Sequence, residues 1–471
     1  MNQEWWTDGR LGMRVGVVGT GHVGLTTCVT LAAIGHQVVG VDADAEKIAQ
    51  LSLGVPPFFE PGLEELLGRA VAKGRLEFTD RVSEAVADAD VVFICVGTPA
   101  RPDGEANLAA VEAVAREVAL HATGTLVVVE KSTVPAGTAE RVRRTLTRER
   151  PDVEFDVVSN PEFLREGRAV ADSLDPARVL VGADSSLAFE CMRRLYKPIL
   201  QRGSRLIETD IATAELSKHA CNAFLSLKIS FANALARICE RSATDVMAVT
   251  EVMGSDPRIG RAFLNPGLGY GGYCFPKDLQ AFHRLSHRLG YDFPLLQEVA
   301  RINDEAVEAV AEKVQDALWN LEGKRIGLLG LSFKPGTDDI RLAPALQLAR
   351  RLLDEGARVV GYDPMALENV RHELPELEPA QSAYHAAEGA HCVVVCTEWD
   401  EIGSLDLQRL KRVMAYPVVI DGRNVFDPRA MRAAGFVYYP SGRPPVLDEV
   451  GPRIDEAGQP LEADLHEARG T

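Results

Sequence analysis

One glycine-rich segment, GLGYGGYCFPKD (residues 267–278), carries a thiol, an amine and a carboxylate within five positions. Packing alone gives no reason for a flexible loop to hold these groups together. Cys274 could act as a nucleophile if Lys218 or a helix N-terminus favours its thiolate, because a free thiol has a pKa of about 8.5. Asp278 could accept a proton, directly or through a water molecule.

These residue types suit the oxidation of an aldehyde beside a nicotinamide cofactor. The thiolate would add to the aldehyde as a thiohemiacetal, hydride transfer would leave a thioester, and water would then hydrolyse the thioester. The alternative is a structural cysteine, which is the ordinary role of a thiol. The glycines before Cys274 and the Pro-Lys-Asp sequence after it favour the catalytic interpretation.

A dinucleotide-binding pattern lies near the start of the chain. Gly19, Gly21 and Gly24 form G-x-G-x-x-G directly after the apolar run RVGVV, and Asp42 ends the next apolar run. Such glycines allow a tight turn into a helix N-terminus that binds a pyrophosphate, and the carboxylate binds a ribose 2′-hydroxyl. Because Asp42 would repel a 2′-phosphate, the pattern predicts NAD rather than NADP. A glycine turn without a cofactor is the alternative.

Three further loops have polar residues at the expected carboxyl ends of strands. They contain Gly97-Thr98-Pro99, Ser132-Thr133 and Asn160-Pro161-Glu162. Each loop alone is explained by capping and turn formation. Because ligands collect at this edge of an open parallel sheet, the three loops together predict a polar crevice that faces the nicotinamide.

A helix-permissive stretch over residues 209–253 contains no proline or glycine and offers apolar surface for self-association. Five of its polar residues, called here the polar stripe, recur at spacings of three, four or seven and so share one face: Glu215, Lys218, Asn222, Ser226 and Asn233. Such a stripe is ordinarily the solvated side of a helix. Its neutral amides and hydroxyl favour a shared site instead.

The elements around these residues alternate between short β-branched runs and helical patterns, which predicts parallel sheets covered on both faces. We therefore predict an α/β protein with an N-terminal Rossmann-like doubly wound parallel sheet, a long central helix and a second, smaller Rossmann-like α/β domain. The predicted boundaries are 1–205 for the NAD-binding domain, 206–315 for the central helical dimerisation domain, 316–440 for the third domain and 441–471 for a mobile acidic tail.

The composition argues against several kinds of partner. The chain has 471 residues, 46% of them hydrophobic, and a formal net charge of −17. An acidic surface repels nucleic acid and anionic membranes, so neither is an expected partner. No signal peptide or transmembrane-length apolar run is evident. Eight scattered cysteines without CxxC or zinc-ligand spacing predict free thiols, a cytoplasmic protein and no metal site.

Nine segments match one known family in order, from about residue 13 to residue 440. They are GVVGTGHVGL, VGTPARPDGEANL, EKSTVPAGT, SNPEFLREG, AELSKHACNAFLSLKISF, DPRIG, GYGGYCFPKD, GLSFKPGTDDIR and IDGRNVFD. The chain resembles the UDP-glucose/GDP-mannose dehydrogenase family, and most of all its members that act on UDP-glucose. The resemblance implies a homodimer through the central helix, a C-terminal nucleotide-sugar-binding domain, and two hydride transfers that consume two NAD per sugar.

The resemblance also implies a role for individual residues. The implied catalytic residues are Cys274, Lys218, Asp278, Glu162, Thr133 and Asn222. Cys274 would be the nucleophile, with Lys218 and Asp278 managing the proton and the oxyanion through a water molecule. Glu162 and Thr133 would position or activate water, and Asn222 would hold the sugar.

Two further sets would bind the ligands. The residues expected to contact NAD are Gly19, Gly21, Gly24, Asp42, Lys47, Thr98, Thr133, Glu166, Lys277 and Arg341. The residues expected to contact the nucleotide sugar are Glu162, Phe163, Leu164, Lys218, Asn222, Arg258, Phe263, Gly271, Phe275, Lys334 and Arg423. Arg258 would reach the site across the dimer.

The sequence departs from the family pattern at several positions. Tyr273 stands where a small residue usually precedes the cysteine, which bears on substrate identity, and His22 replaces a tyrosine and is expected to be exposed. Other nucleotide sugars, GDP-mannose or a UDP-N-acetylhexosamine, are therefore alternatives to UDP-glucose. A non-catalytic NAD-binding regulatory protein is a second alternative, against which the intact Cys274, Lys218 and Asp278 argue.

Overall fold

The structure is a computed structural model, and it describes residues 12–447. The strands in this part of the chain are β1 (Arg14–Val18), β2 (Gln37–Val41), β3 (Leu76–Thr79), β4 (Val91–Ile94), β5 (Leu126–Glu130), β6 (Phe155–Ser159), β7 (Arg178–Gly182), β8 (Arg205–Thr209), β9 (Arg325–Leu329), β10 (Arg358–Tyr362), β11 (Glu378–Pro379), β12 (Cys392–Val395), β13 (Val418–Asp421) and β14 (Val437–Pro440).

Helices connect nearly all of these strands. They are α1 (His22–Ala33), α2 (Ala45–Ser52), α3 (Leu63–Ala72), α4 (Val82–Val86), α5 (Ala109–His121), α6 (Thr138–Glu149), α7 (Ala169–Leu174), α8 (Ser186–Leu200), α9 (Ile211–Arg241), α10 (Val246–Ser255), α11 (Cys274–Arg288), α12 (Pro294–Leu318), α13 (Pro344–Asp354), α14 (Leu367–Glu373), α15 (Ala383–Ala387), α16 (Asp400–Gly403), α17 (Leu407–Val413) and α18 (Pro428–Ala434).

The first sheet has the order β3-β2-β1-β4-β5-β6-β7-β8. The apolar strands β4 and β5 are buried at every position, as expected of central parallel strands covered by helices. The predicted parallel sheet is confirmed except at one junction, where β6 and β7 meet antiparallel through Ser159 and Gly182. The first six strands follow the order of a dinucleotide-binding fold, which brings the carboxyl ends of β1, β4 and β5 to one edge.

The second sheet has the order β11-β10-β9-β12-β13-β14, and all of its pairs are parallel. Its chain order repeats the 3-2-1-4-5-6 pattern of the first sheet. The prediction of two Rossmann-like domains is therefore confirmed. Each sheet has its own hydrophobic core on both faces.

The helix α9 joins the two sheets, and α11 and α12 pack on it. The Asp210 side chain caps its start by accepting a hydrogen bond from the backbone N–H of Thr213, at 2.8 Å. The expectation of one helix over 209–253 was wrong, because α9 ends at Arg241. Ala243 takes a positive φ of 53°, and Asp245 begins α10 by accepting from the N–H of Met247.

Residues 441–447, the first part of the predicted tail, pack on the rest of the protein. Val446 pairs with Tyr438, the N–H of Gly442 donates to Glu240 at 2.7 Å, and Arg443 forms an ion pair with Asp245. The rest of the predicted tail, 448–471, lies outside the described residues. Among the helices of residues 12–447, none has the combination of length and apolar character that crossing a bilayer requires.

Candidate active site

The polar stripe of α9 is buried and holds several loops of the site. All five of its side chains are at most 5% exposed, so it is not a solvated face. Four of the five side chains form hydrogen bonds to other elements. Glu215 accepts from the N–H groups of Gly137 and Ala139, and Asn233 accepts from the N–H of Gly267. Lys218 donates to Glu162, and Asn222 donates to Asp278. These contacts connect the stripe to the loop that carries Glu162, to Asp278 and to the glycine-rich segment.

Lys218 and Glu162 form a buried ion pair. The Lys218 Nζ lies 2.9 Å from Glu162 Oε1, and the second carboxylate oxygen accepts the N–H of Leu164. Burial by itself lowers the pKa of Lys218, but the carboxylates of Glu162 and Asp278 raise it above its usual value. Lys218 is therefore an ammonium ion that can donate hydrogen bonds to a developing oxyanion.

Asp278 is fully buried on α11, one turn after Cys274. One of its oxygens accepts from Asn222 Nδ2 at 2.6 Å and the other from Lys277 Nζ at 2.7 Å. Burial opposes ionisation, but the ammonium groups of Lys277 and Lys218 outweigh it and lower the pKa of Asp278. The carboxylate therefore stays ionised and can orient a water molecule between these two cations.

Cys274 is the first residue of α11, among Lys218, Glu162 and Asp278. Burial is the largest influence on its thiol and, with the carboxylates of Glu162 and Asp278, raises its pKa to about 12, while Lys218 opposes the shift. The expectation that Lys218 favours the thiolate is thus correct in direction, but burial outweighs it. The thiol is protonated at neutral pH, so its proton must leave as a bond to carbon forms.

The glycine loop before Cys274 fits against the third domain. The N–H of Gly272 donates to the carbonyl of Arg341 at 2.9 Å. A Cβ on Gly271 would lie only 2.4 Å from the carbonyl oxygen of Leu342, so any larger residue would push the two segments apart. The loop is glycine-rich because two domains meet there, and Gly271 acts through its backbone and not by lining a cavity.

A cavity of about 420 Å³ lies beside these groups. Seven of the residues predicted to contact the sugar line it: Glu162, Phe163, Leu164, Lys218, Asn222, Phe263 and Phe275. Lys131 and Asn160 also line it. Asn160 belongs to one of the predicted polar loops, whereas Lys131, which directly precedes another, was not assigned to the site. Lys131 Nζ donates to Asn160 Oδ1 at 2.9 Å, so this part of the wall is polar.

Three predicted sugar contacts lie elsewhere. Arg258 is exposed and forms an ion pair with Asp256, and in the described part of the chain it does not line the cavity. Arg423 donates to the carbonyl of Gly269 at 3.3 Å and thereby supports the glycine loop. Lys334 lies among the carboxylates of Glu166 and Glu60, and burial lowers its pKa.

The turn after β1 fits a dinucleotide. A Cβ on Gly24 would lie 1.7 Å from the carbonyl oxygen of Gly19, so only glycine lets α1 begin directly behind the strand. Gly21 is the N-terminal cap of α1 and faces open space. The first turn of α1 has no acidic residue and no side-chain cap, which leaves its N–H groups available for a pyrophosphate.

Asp42 follows β2 at the same edge of the sheet. Its Oδ2 accepts from the N–H and hydroxyl of Thr20, at 3.0 and 2.7 Å, and from Lys47 Nζ at 2.8 Å. Burial raises its pKa, but these hydrogen bonds outweigh burial and lower it. The carboxylate is ionised and suited to accept a hydrogen bond from a ribose hydroxyl. Lys47 forms an ion pair with this carboxylate.

The remaining predicted NAD contacts form two groups beside Cys274. Thr98 donates to the carbonyl of Thr133 at 2.9 Å, and Lys277 Nζ lies 3.5 Å from the Thr98 hydroxyl. Arg341 lies 3.7 Å from Glu166. These groups connect the first sheet, α11 and the third domain around one cleft.

Two departures from the family pattern lie on the cofactor side of this cleft. The Tyr273 ring faces Lys277 and Arg341, with the Arg341 guanidinium 4.8 Å from its centre, and Tyr273 does not line the cavity. His22, expected to be exposed, is half-buried and stacks on Phe58 at 3.7 Å. Burial and the nearby Arg341 lower the pKa of His22 to about 4, so its ring is neutral.

Three family models match consecutive parts of the chain. They describe the NAD binding domain, the central domain and the UDP binding domain of the UDP-glucose/GDP-mannose dehydrogenase family, at residues 13–200, 212–305 and 327–428. The matched residues include the turn after β1, the polar stripe and the glycine loop.

Individual proteins are similar over nearly the whole chain. A UDP-glucose 6-dehydrogenase of Rhizobium meliloti is 44% identical, over 92% of this chain and 100% of that protein. The structure of a UDP-glucose dehydrogenase from Pyrobaculum islandicum is 39% identical with a TM-score of 0.86, over 93% of this chain and 99% of that one. The structure of a UDP-D-ManNAc dehydrogenase from Pyrococcus horikoshii is 30% identical with a TM-score of 0.80, over 92% and 99%.

Proposed function

The chain belongs to the UDP-glucose/GDP-mannose dehydrogenase family, and we propose that it is an NAD-dependent UDP-glucose 6-dehydrogenase that forms UDP-glucuronate. The similar proteins whose names give UDP-glucose are 44% and 39% identical, against 30% for the one named for UDP-D-ManNAc. One observation carries the chemistry: a lysine ammonium and two carboxylates surround Cys274, next to a cavity of about 420 Å³.

The first oxidation converts the 6-hydroxyl of the sugar to an aldehyde. When bound, NAD accepts a hydride in each oxidation step. The hydroxyl proton passes to a water molecule held by Asp278, and the Lys218 ammonium stabilises the alkoxide. Asn222 holds the sugar beside these groups, as its position on the cavity wall favours.

The second oxidation uses the thiol. Cys274 Sγ bonds to the aldehyde carbon and its proton passes to the aldehyde oxygen, because a pKa of about 12 keeps the thiol protonated beforehand. The thiohemiacetal then gives up a hydride from carbon and its hydroxyl proton to the water held by Asp278, and becomes a thioester. Water activated by Glu162 and positioned by Thr133 adds to the thioester carbon, the carbon–sulfur bond breaks and Cys274 recovers its proton. One water and two hydride acceptors are consumed per sugar.

The nucleotide portion needs partners outside the cavity wall. Lys334 and Arg423 are basic residues of the third domain, Lys334 near Glu166 and Glu60 and Arg423 paired with Glu398, and we assign them to the UDP group. Tyr273, Arg341, Glu166 and Lys277 stand on the cofactor side. With Tyr273 directed to that side, its presence does not argue against UDP-glucose as the substrate.

The decisive experiment counts NADH formed per UDP-glucose consumed, with NAD in excess. We expect two per sugar and an acid product. Cys274→Ala should form no acid while still binding NAD, and Cys221→Ala, which removes a thiol from the cavity wall, is the matched control. One NADH per sugar, or acid formation by Cys274→Ala, would exclude the covalent route.

The same assay separates the alternatives. Oxidation of GDP-mannose or a UDP-N-acetylhexosamine in preference to UDP-glucose would retain the chemistry and change the substrate. Binding of NAD without oxidation of any of these sugars would indicate a regulatory protein.

The proposed enzyme is a homodimer through α9. Phe224, Phe231 and Ile238 are spaced seven residues apart on this helix and are 61%, 50% and 62% exposed. We name these three residues the apolar stripe. A monomer rarely exposes such a row of large side chains, and burying it against a second copy removes it from water. Arg258, exposed on the same domain, would then reach the cavity of the partner.

We also place the enzyme in the cytoplasm. All eight cysteines are free thiols in the structure, and five of them are buried. Free thiols persist in reducing compartments, and the proposed nucleophile must remain reduced to act. Fractionation of the source cells with activity assays would test this location.

A further inference from the structure

The C-terminal half of α11 carries a second cluster of ligand atoms. His283 and His287 lie one turn apart on this helix, Asp292 follows it, and Gln297 is near the start of α12. The ligand atoms of the two histidines and Asp292 lie within 4.8 Å of one another. None of these residues belongs to the proposed catalytic site.

The hydrogen bonds within this cluster compete with one another. His283 Nε2 lies 3.0 Å from His287 Nε2 and 2.8 Å from the amide nitrogen of Gln297. A neutral imidazole has one lone pair, so in the tautomer with that lone pair on His283 Nε2 the His287 N–H and the Gln297 amide compete for it. His287 Nε2 also lies 3.4 Å from Asp292 Oδ1.

A cation at the centre removes this competition. Both Nε2 lone pairs would then point at the ion, and the Asp292 carboxylate would supply negative charge. Turning the Gln297 amide by half a rotation exchanges its nitrogen for its oxygen, because the two atoms have the same shape. We propose that His283, His287, Asp292 and Gln297 form a binding site for a divalent cation of the zinc class.

The geometry and the ligand types select the metal. Zinc–nitrogen bonds of about 2.0–2.1 Å in a tetrahedral site place two nitrogens roughly 3.4 Å apart. The observed 3.0 Å separation of the Nε2 atoms is close to this value. Imidazole ligands suit Zn²⁺, Ni²⁺ and Cu²⁺, whereas Mg²⁺ and Ca²⁺ prefer oxygen.

A bound ion would tie α11 to α12. The two histidines lie on α11, Asp292 lies in the segment between the helices, and Gln297 lies on α12. His283 is nine residues from Cys274, roughly 14 Å along the helix axis, so the ion would not touch the reacting atoms. Its effect is on the stability of the helix that begins with the nucleophile. The spacing of His283 and His287 is visible in the sequence, whereas the expectation of no metal site rests on the cysteine spacing alone.

The test is a titration of the full chain with Zn²⁺ in competition with a chromophoric chelator. We expect the double variant His283→Ala/His287→Ala to bind one equivalent less than the wild type. The rise in thermal midpoint that Zn²⁺ causes should be lost with it. His372→Ala removes an exposed histidine that has a glutamate one turn away but no second histidine, and it should leave both readouts unchanged.

A milder variant guards against misfolding of the double variant. The Asp292 side chain is 67% exposed, so Asp292→Asn should fold normally and bind Zn²⁺ more weakly. Zinc that binds to cysteine thiols is common to all of these proteins and cancels in the comparison. Equal zinc stoichiometry and equal affinity in the wild type, the double variant and Asp292→Asn would overturn the proposal.

Discussion

The buried pair of Lys218 and Glu162 controls the charge beside Cys274. Both side chains are nearly inaccessible, at 5% and 6% exposed. Removing one partner of such a pair leaves a buried charge without compensation, which costs about 3–5 kcal/mol. Lys218→Met is therefore expected to lower the free energy of unfolding by that amount and to abolish turnover. Chemical denaturation and NADH assays would measure the two effects.

A double variant separates these two roles. In Lys218→Met/Glu162→Gln neither partner is charged, so most of the lost stability should return while the activity stays lost. If the double variant is no more stable than Lys218→Met, the buried carboxylate is not the cause of the instability.

Glu130, at the end of β5, makes stability depend on pH. Burial is the main reason that its pKa is raised to about 8, and its Oε2 has no hydrogen-bond partner among the described residues. The unfolded chain ionises at its ordinary pKa, about 4.3, while the folded protein keeps the proton. This group's contribution to stability is complete below about pH 4 and is lost progressively as the pH rises to about 8.

The side chain in the variant Glu130→Gln cannot ionise, so the variant should not lose stability at this position as the pH rises. A tenfold change in an ionisation equilibrium corresponds to about 1.4 kcal/mol, so we expect a gain of roughly a few kcal/mol at pH 8 and almost none at pH 4. Thermal midpoints of both proteins between pH 4 and pH 9 would test this. Parallel curves over that range would contradict it.

The positions of residues could be predicted from the sequence where a motif fixes both the backbone and the chemistry. The glycine turn and Asp42 are such cases. The polar stripe is another, because helical spacing alone sets which of its residues share a face. His22 could not be predicted, since its burial depends on Phe58, which approaches from a separate loop. The raised pKa of Cys274 has the same origin, because burial by other segments outweighs the lysine that the motif supplies.

At the scale of elements, α9 supports the loops of the site through its buried polar side chains. Glu215 accepts the N–H groups of Gly137 and Ala139, at 2.6 and 2.7 Å, and so caps α6 from outside. Gly137, the residue at the cap position, has no side chain that could cap the helix. The start of α6 directly follows the loop that carries Thr133, so the contact with Glu215 holds a proposed catalytic residue in place.

We expect Glu215→Ala to destabilise the protein by about 1–3 kcal/mol, because buried N–H groups lose their acceptor. The Michaelis constant for NAD should rise as the loop loosens. Glu215→Gln keeps one acceptor oxygen and should show a smaller effect. Hydrogen exchange over residues 131–141 would report the loosening directly, and unchanged protection there in Glu215→Ala would contradict this role.

The end of α9 shows why element boundaries are harder to predict than elements. Residues 209–253 contain no proline or glycine, so the sequence offers no obvious stop. The break instead comes from Ser242 to Asp245, where Asp245 caps α10 and also pairs with Arg443. Arg443 is distant in sequence, and its contribution could not be read from the local pattern.

At the scale of the whole molecule, the two sheets were predictable because alternating apolar strands and helices have few stable arrangements. The contact between domains was not, because it depends on the fit of the glycine loop against Leu342 and Arg341. The cavity and the cleft both form where segments distant in sequence meet. Contacts between two copies of the chain cannot be predicted from the sequence for the same reason, and they are tested by substituting exposed residues.

The apolar stripe of α9 gives that test. The charged variant Phe224→Glu/Phe231→Glu places carboxylates where two copies would bury aromatic rings, so we expect a monomer by light scattering after gel filtration. Leu120→Glu, at a position that is 53% exposed on α5, is the matched control and should remain dimeric.

The monomer should also lose affinity for the sugar more than for NAD. The proposed NAD contacts come from one chain, whereas Arg258 does not line the cavity among the described residues of its own chain. We therefore expect the Michaelis constant for UDP-glucose to rise in the charged variant while NAD binding, measured by calorimetry, stays the same. Arg258→Ala should reproduce the rise and remain a dimer. A monomer with unchanged sugar affinity would show that the site is complete within one chain.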